Sequence, residues 1–373
     1  MEPSSFGKSN SNTRVCKIQE QLEKDLNGVL QTDIKELRKS GRIFENIVDL
    51  DSERHELFKI SEWVNLRKAI SGNDQLARKV TEIKVSDCFR QLVKASPTHI
   101  QAVTALSEKY KNFSEFLLDF VAPQIHLQVV TGETLKLQNF CLIGEPGIGK
   151  SAMLNELSEA LDITGRIFDA SSIQASHVLN GLSRNYTSAD VGLIFKTMLL
   201  EVNPKNMEPR PANALFCVDE VEKVGRTDQH GSVLDLMLAL LETQTSRRFT
   251  DVCFPELTLN LEHLNWCFTA NSTKNLSAPL RSRVVEIEIP NPTEDQSIEI
   301  AGSIYAEEIK SLKGRVLQVP ELEYSELVKL SAYSPRKQKQ LLKLSIARAV
   351  RDGRGSVEIK DKAQKTTQKM GFI

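Results

Sequence analysis

Apolar positions keep one rhythm up to Pro97 and another beyond it. Before Pro97 they recur at helical spacing among many charges. The first set is Val15, Ile18, Leu22, Leu26, Val29 and Leu30, and the second is Leu57, Ile60, Trp63, Val64, Leu66 and Ile70. A third runs through Ile83, Val85, Phe89 and Leu92 to Ser96-Pro97. Residues 1–13, rich in Ser, Asn and Gly, read as a disordered lead-in. The pattern predicts an all-helical N-terminal domain over 1–96. Clean heptads are too few for a long coiled coil, so a small bundle or docking module fits better than a dimerising one.

Beyond Pro97 short β-rich runs alternate with helical stretches. The predicted strands are 139–143, 166–169, 214–218, 266–270 and 284–289. Strands separated by helices indicate a parallel sheet covered on both faces, an α/β unit over 97–290. Pro290-Asn291-Pro292 interrupts the chain, and helical segments at 294–313, 321–332 and 335–350 make up a third region, 291–373. A short strand is expected at 357–359. No repeat of solenoid period is visible.

Composition narrows the partners more than the fold. Forty-eight basic and 49 acidic residues leave a net charge of −1, which weighs against tight binding to nucleic acid or an acidic membrane. No apolar run approaches the roughly 20 residues that cross a bilayer, and the N-terminus lacks a secretory pattern. The six cysteines form no C-x-x-C pair, which argues against zinc and for a reducing cytoplasm.

The densest chemical signal is Gly144-Glu145-Pro146-Gly147-Ile148-Gly149-Lys150-Ser151, which fits G-x-x-x-x-G-K-[ST] throughout. A predicted strand leads into it, and Ala152 opens a helix after it. Glycines let the backbone bend so that its N–H groups converge on phosphate oxygens, helped by the helix N-terminus. Lys150 is then placed for the β- and γ-phosphates of ATP, and the Ser151 hydroxyl for Mg²⁺. Downstream, the apolar run from Ala214 ends in Asp219-Glu220. At a strand end beside the phosphate loop, Asp219 would hold Mg²⁺ and Glu220 would polarise the attacking water.

With Asp219-Glu220-Val221-Glu222-Lys223 and the later Phe268-Thr269-Ala270-Asn271-Ser272, the chain from about Phe113 resembles AAA+ ATPases, and within them the Lon-like branch. The resemblance implies a five-stranded AAA+ P-loop NTPase core, a C-terminal helical lid, and a homo-oligomeric ring, by family default a hexamer, with ATP sites between subunits. It assigns Asn271 to orienting the attacking water. It assigns Arg283, with Arg281 as fallback, to the arginine finger reaching a neighbour's γ-phosphate, and Arg336 to contacting ATP from the lid. It also points to Tyr186 as a substrate-gripping residue of a pore loop, and to a hairpin within 249–259. Arg247 and Arg248 fit either a subunit interface or a solvated basic pair. The chain ends soon after the lid, and nothing in it resembles a Ser-Lys peptidase, so protease activity is not expected. The resulting expectation is a cytoplasmic, ATP-driven ring that remodels a protein substrate with a separate effector. A nucleic-acid motor or loader and an ATP-gated assembly switch are the alternatives.

Overall fold

The computed structural model describes residues 54–360, apart from 71–73, 84, 174, 204–205, 225–232 and 313–318. The expected lead-in and the predicted helix through Val15 and Leu30 lie outside these residues. In chain order, β1 (Arg54–Glu56) is followed by α1 (Ile60–Ala69), α2 (Asp74–Glu82) and β2 (Phe89–Gln91). Next come α3 (Pro97–Lys109), α4 (Ala122–Thr131), β3 (Phe140–Ile143), α5 (Lys150–Ala160) and β4 (Arg166–Asp169). The short helices α6 (His177–Asn180) and α7 (Leu193–Phe195) precede β5 (Leu215–Asp219).

After α8 (Val233–Leu241) and α9 (Thr243–Ser246), β6 (Phe249–Thr250) and β7 (Thr258–Leu259) form the expected antiparallel hairpin. Then come β8 (Asn265–Ala270), α10 (Ala278–Arg281) and β9 (Val285–Glu288). The chain closes with α11 (Glu294–Leu312), α12 (Tyr324–Ser331) and α13 (Pro335–Arg351).

The five predicted strands all form, within a residue or so of the expected bounds, and they pair in parallel in the order β4-β5-β8-β3-β9. Successive side chains point to opposite faces, so each strand feeds two cores. Cys141, Ile143, Phe216, Val218 and Phe268 join one cluster, while Phe140, Leu142, Leu215, Cys217 and Cys267 join the other. The central strands β3 and β8 are buried throughout, whereas the edge strand β9 is exposed at both ends and only half-buried between them. Helices on both faces account for those unbroken apolar runs. A third cluster, around Leu330, Leu342 and Ile346, holds the C-terminal helices together.

The N-terminal expectation needs correction. Of the predicted helices within the described residues, the second is present as α1, α2 forms over a stretch for which none was expected, and the third is not formed. Its Phe89 instead lies in β2, which pairs antiparallel with β1 so that His55 faces Arg90. Three-residue strands are too short for alternation to outweigh the i, i+4 spacing of Val85 and Phe89 in the sequence. Leu57, Trp63, Leu66, Leu76 and Ile83 also pack into the same cluster as Phe216 and Phe268, on one face of the large sheet. Each such side chain contributes roughly 1.5–3 kcal/mol when fully buried, so the segment is firmly seated there. The strand expected at 357–359 is reduced to a single bridge, Ser356 with Glu321, continued by Val357 N–H on the Glu321 carbonyl at 2.7 Å.

Candidate active site

The parallel pairing of β3 with β8 sets the site, because Ile143 lies beside Ala270 and the next residues of both strands emerge together. The Gly144 N–H donates to the Ala270 carbonyl at 3.2 Å, which places the phosphate-loop motif against Asn271. The loop ends on Gly149 at φ 106°, a left-handed conformation that suits glycine, and α5 starts at once with Lys150. Lys150 is 6% exposed. Its Nζ donates to the carbonyls of Gly144 (2.5 Å) and Glu145 (3.1 Å) and to Asn271 Oδ1 (3.3 Å). Burial pulls its pKa down, opposed by the carboxylates of Asp219, Glu222 and Glu220.

The Ser151 hydroxyl donates to Asp219 Oδ2 at 2.8 Å. Thr269, in the middle of the site and fully buried, donates to Asp219 Oδ1 and accepts the Glu220 N–H at 2.9 Å. Glu220 has φ 56° and ψ 48°, a left-handed backbone uncommon outside glycine. Such strain clusters at functional sites and persists where neighbours over-determine it. Here Lys223 Nζ donates to Glu220 Oε2 at 2.5 Å and Asn271 Nδ2 to Oε1 at 3.4 Å. The Lys223 hydrogen bond, and after it the Asn271 one, holds the Glu220 carboxyl below its ordinary range, so it is ionised at neutral pH. The Asn271 N–H is itself fixed by Glu222 Oε1 at 2.9 Å.

These groups line one cavity of about 440 Å³ between the sheet, α3 and the C-terminal helices. Residues Pro146–Ala152, Asp219, Glu220, Asn271 and Arg336 all face it. Arg336, in the first turn of α13, reaches the loop through its N–H on the Gly147 carbonyl at 3.3 Å, and among the described residues it pairs with no carboxylate. The site fits a magnesium nucleotide. The hard oxygens of Ser151 and Asp219 converge at 2.8 Å, Lys150 and Arg336 lie alongside, and Tyr110, Ile300 and Ile304 add apolar wall.

Three of the predicted residues lie elsewhere. Arg283 pairs with Glu242 at 2.8 Å, Arg281 pairs with Glu286 at 2.6 Å, and neither lines the cavity of its own chain. Tyr186 is 61% exposed on a separate loop. Arg247 pairs with Glu262 of its own chain.

Sequence reasoning missed the wall opposite the phosphate loop. Lys109 bridges Glu156 of α5 (2.8 Å) and Glu307 of α11 (3.2 Å), and the Tyr110 hydroxyl donates to Glu156 at 2.8 Å. These residues belong to no spaced motif and meet only in the folded chain. Thr269 did carry a signal, as the one hydroxyl in the apolar run just before Asn271.

Residues 140–291 match the AAA family, described as the ATPase family associated with various cellular activities. The chain carries an AAA ATPase domain. That domain begins on β3 and ends just past β9, so it contains the phosphate loop, Asp219, Glu220 and Asn271. Lon protease 2 of Herpetosiphon aurantiacus is 28% identical to the chain over 194 residues, which are 51% of this chain and 22% of that protein. The Lon protease of Acinetobacter baumannii is 25% identical over 324 residues, 84% of this chain and 37% of that one. The chain thus spans between about a fifth and two fifths of the length of these relatives, and their protease activity is a property of the longer proteins. Among solved structures, a RuvB from Thermotoga maritima covers 68% of this chain and 67% of its own at 14% identity. Its TM-score of 0.44 is too low to bear on what the AAA domain here does.

Proposed function

We propose that the chain is the motor of a homo-oligomeric ring, by family default a hexamer, that uses ATP to pull on a protein substrate, working with a separate effector. The observation that carries this reading is the split between an assembled hydrolytic site and the two arginines held away from it. Lys150, Ser151, Asp219, Glu220 and Asn271 share one cavity, while Arg281 and Arg283 lie outside it on the same chain. A finger that cannot serve its own cavity is suited to a neighbour's, which calls for a ring.

Within that site Lys150 and Arg336 would bind the phosphates, and Ser151 and Asp219 would hold Mg²⁺. The ion would neutralise charge building on the phosphate oxygens. Glu220, ionised and steered by Asn271, would take a proton from the attacking water. The Lon proteases among the relatives favour a polypeptide over nucleic acid as the substrate, as does the net charge of −1. Among the described residues no helix is long and apolar enough to cross a membrane, and the described cysteines are all free, in keeping with a cytoplasmic setting. The deciding experiment compares ATP turnover with an unfolded protein and with duplex or single-stranded DNA. Stimulation by the protein alone is expected. Stimulation by DNA alone would replace this reading with the nucleic-acid motor.

A further inference from the structure

Between Gly181 and Gly192 the chain leaves the core, turns at the exposed Tyr186 and returns. The neck of this loop is closed by the Leu182 N–H on the Asp190 carbonyl at 2.8 Å. Three further ties run from it and its flank to the loop of the β6–β7 hairpin. Asp251, fully buried, accepts the Gly192 N–H on Oδ2 at 2.8 Å and the Cys253 N–H on Oδ1 at 2.9 Å. The Val252 N–H donates to the Asn180 carbonyl at 2.7 Å. Arg184 forms an ion pair with Glu256.

The first tie grips both ends of the loop. Gly181 has φ 84°, and a Cβ there would lie 2.1 Å from Asp251 Oδ1. Only glycine lets the carboxylate lie against the outgoing strand of the loop while it bonds the returning one. A buried carboxylate is costly to keep, and apolar filling would serve packing as well. What the carboxylate adds is direction: two backbone N–H groups on different loops are held to one rigid, planar group.

We propose that Asp251 is a positioning residue that joins the Tyr186 loop and the hairpin loop into one body, presenting Tyr186 and Val252 to a polypeptide as a single surface. Both side chains are exposed, at 61% and 44%, although the residues around Val252 are buried. A tip on a jointed base would swing under load, whereas a fixed base passes motion of the core to the tip. The inference rests on the reading of Tyr186 as a polypeptide contact.

Amide hydrogen exchange on the whole chain tests it, alongside ATP turnover titrated with a reduced and alkylated unfolded protein. Asp251→Asn keeps the volume but offers one acceptor oxygen for two N–H groups. Exchange in 181–192 and in 250–257 should rise together by about tenfold or more, the usual consequence of a lost buried bond to a charged group. Basal turnover should stay, and more unfolded protein should be needed for half-maximal stimulation. Faster exchange in only one segment, in neither, or in both without any change in that concentration would overturn the proposal. Should Asp251→Asn loosen the whole chain, Arg184→Ala cuts the outer tie and must give the same paired loosening, or the joined body is wrong. If instead Tyr186→Ala leaves stimulation intact, the reading of Tyr186 as the polypeptide contact fails, and the exchange results are unaffected by that failure.

Discussion

Asn271 donates its side-chain amide to Glu220 Oε1 at 3.4 Å while its own oxygen accepts from Lys150 at 3.3 Å. One amide thus touches both the Lys150 ammonium, proposed to bind phosphate, and the Glu220 carboxylate, proposed to act as the base. The two contacts give Asn271 and Glu220 different weights. Glu220→Gln should slow turnover by about 10²- to 10⁴-fold, the range for a general base, and leave nucleotide bound. Asn271→Ala removes its hydrogen bonds to both Glu220 and Lys150, of which the first orients the base, and should cost about tenfold to a hundredfold. Phosphate release and nucleotide affinity, measured on both variants, check this. A loss of affinity in Asn271→Ala as large as its loss of rate would make Asn271 a binding residue rather than an orienting one.

Arg283 is tied to Glu242 on its own chain and lies outside its own cavity. If it serves a neighbour, Lys150→Ala and Arg283→Ala should each be inactive alone, the first through lost nucleotide binding. Mixed rings contain interfaces that pair an intact loop with an intact finger, so mixing should restore part of the turnover. No recovery from co-assembled variants would move the role to Arg281, and the same mixture made with Arg281→Ala would then show it.

The chemistry of the site was legible where one short segment carries several roles. The phosphate loop, Asp219-Glu220 and Asn271 each sit at the end of a buried strand, and the parallel register brings those ends together. The five strands were legible because central parallel strands are apolar on both faces. Lys109, Tyr110 and Glu307 were not, since α3 and α11 meet α5 only through tertiary packing. The β1–β2 pair was hidden for the opposite reason: it is local, but three residues per strand carry too little pattern. The clamp at Asp251 had no signature either, because a lone acid in a loop reads as solvated until its burial is known.

That burial makes Asp251 a source of pH dependence. Desolvation pushes its carboxyl up to about 7 from an ordinary 3.8, with Asp190 acting in the same direction and the Gly192 and Cys253 N–H groups and Lys196 against it. Lys79, on α2, pairs with Asp190, and Arg184 lies near Cys253. The folded value stands above the unfolded one, so the native state holds a proton that the unfolded chain releases. The associated stability is complete below about pH 4 and is lost as pH rises through about 7. Asp251→Asn lacks this titration. The wild type's stability relative to the variant, read from urea midpoints, should therefore fall between about pH 4 and pH 7 and level off above that. A difference that stays constant across that window would mean Asp251 is ionised throughout.

Tyr186 gives the sharpest test of the proposed polypeptide substrate. Its neighbours Leu182 and Val191 differ in burial from the tip, where Asn185, Tyr186 and Thr187 are all exposed. An exposed aromatic offers a large apolar surface that accepts many side chains, which suits a grip on varied sequences. It makes no contact with the ATP cavity. Tyr186→Ala should consequently keep basal turnover, assembly and thermal stability. It should lose stimulation by unfolded protein and any remodelling of a folded one. Loss of basal turnover together with stability would mean the ring packs in the assembled protein rather than gripping. Full retention of stimulated work would hand the role to another exposed residue, with Val252 on the joined hairpin loop as the first to substitute.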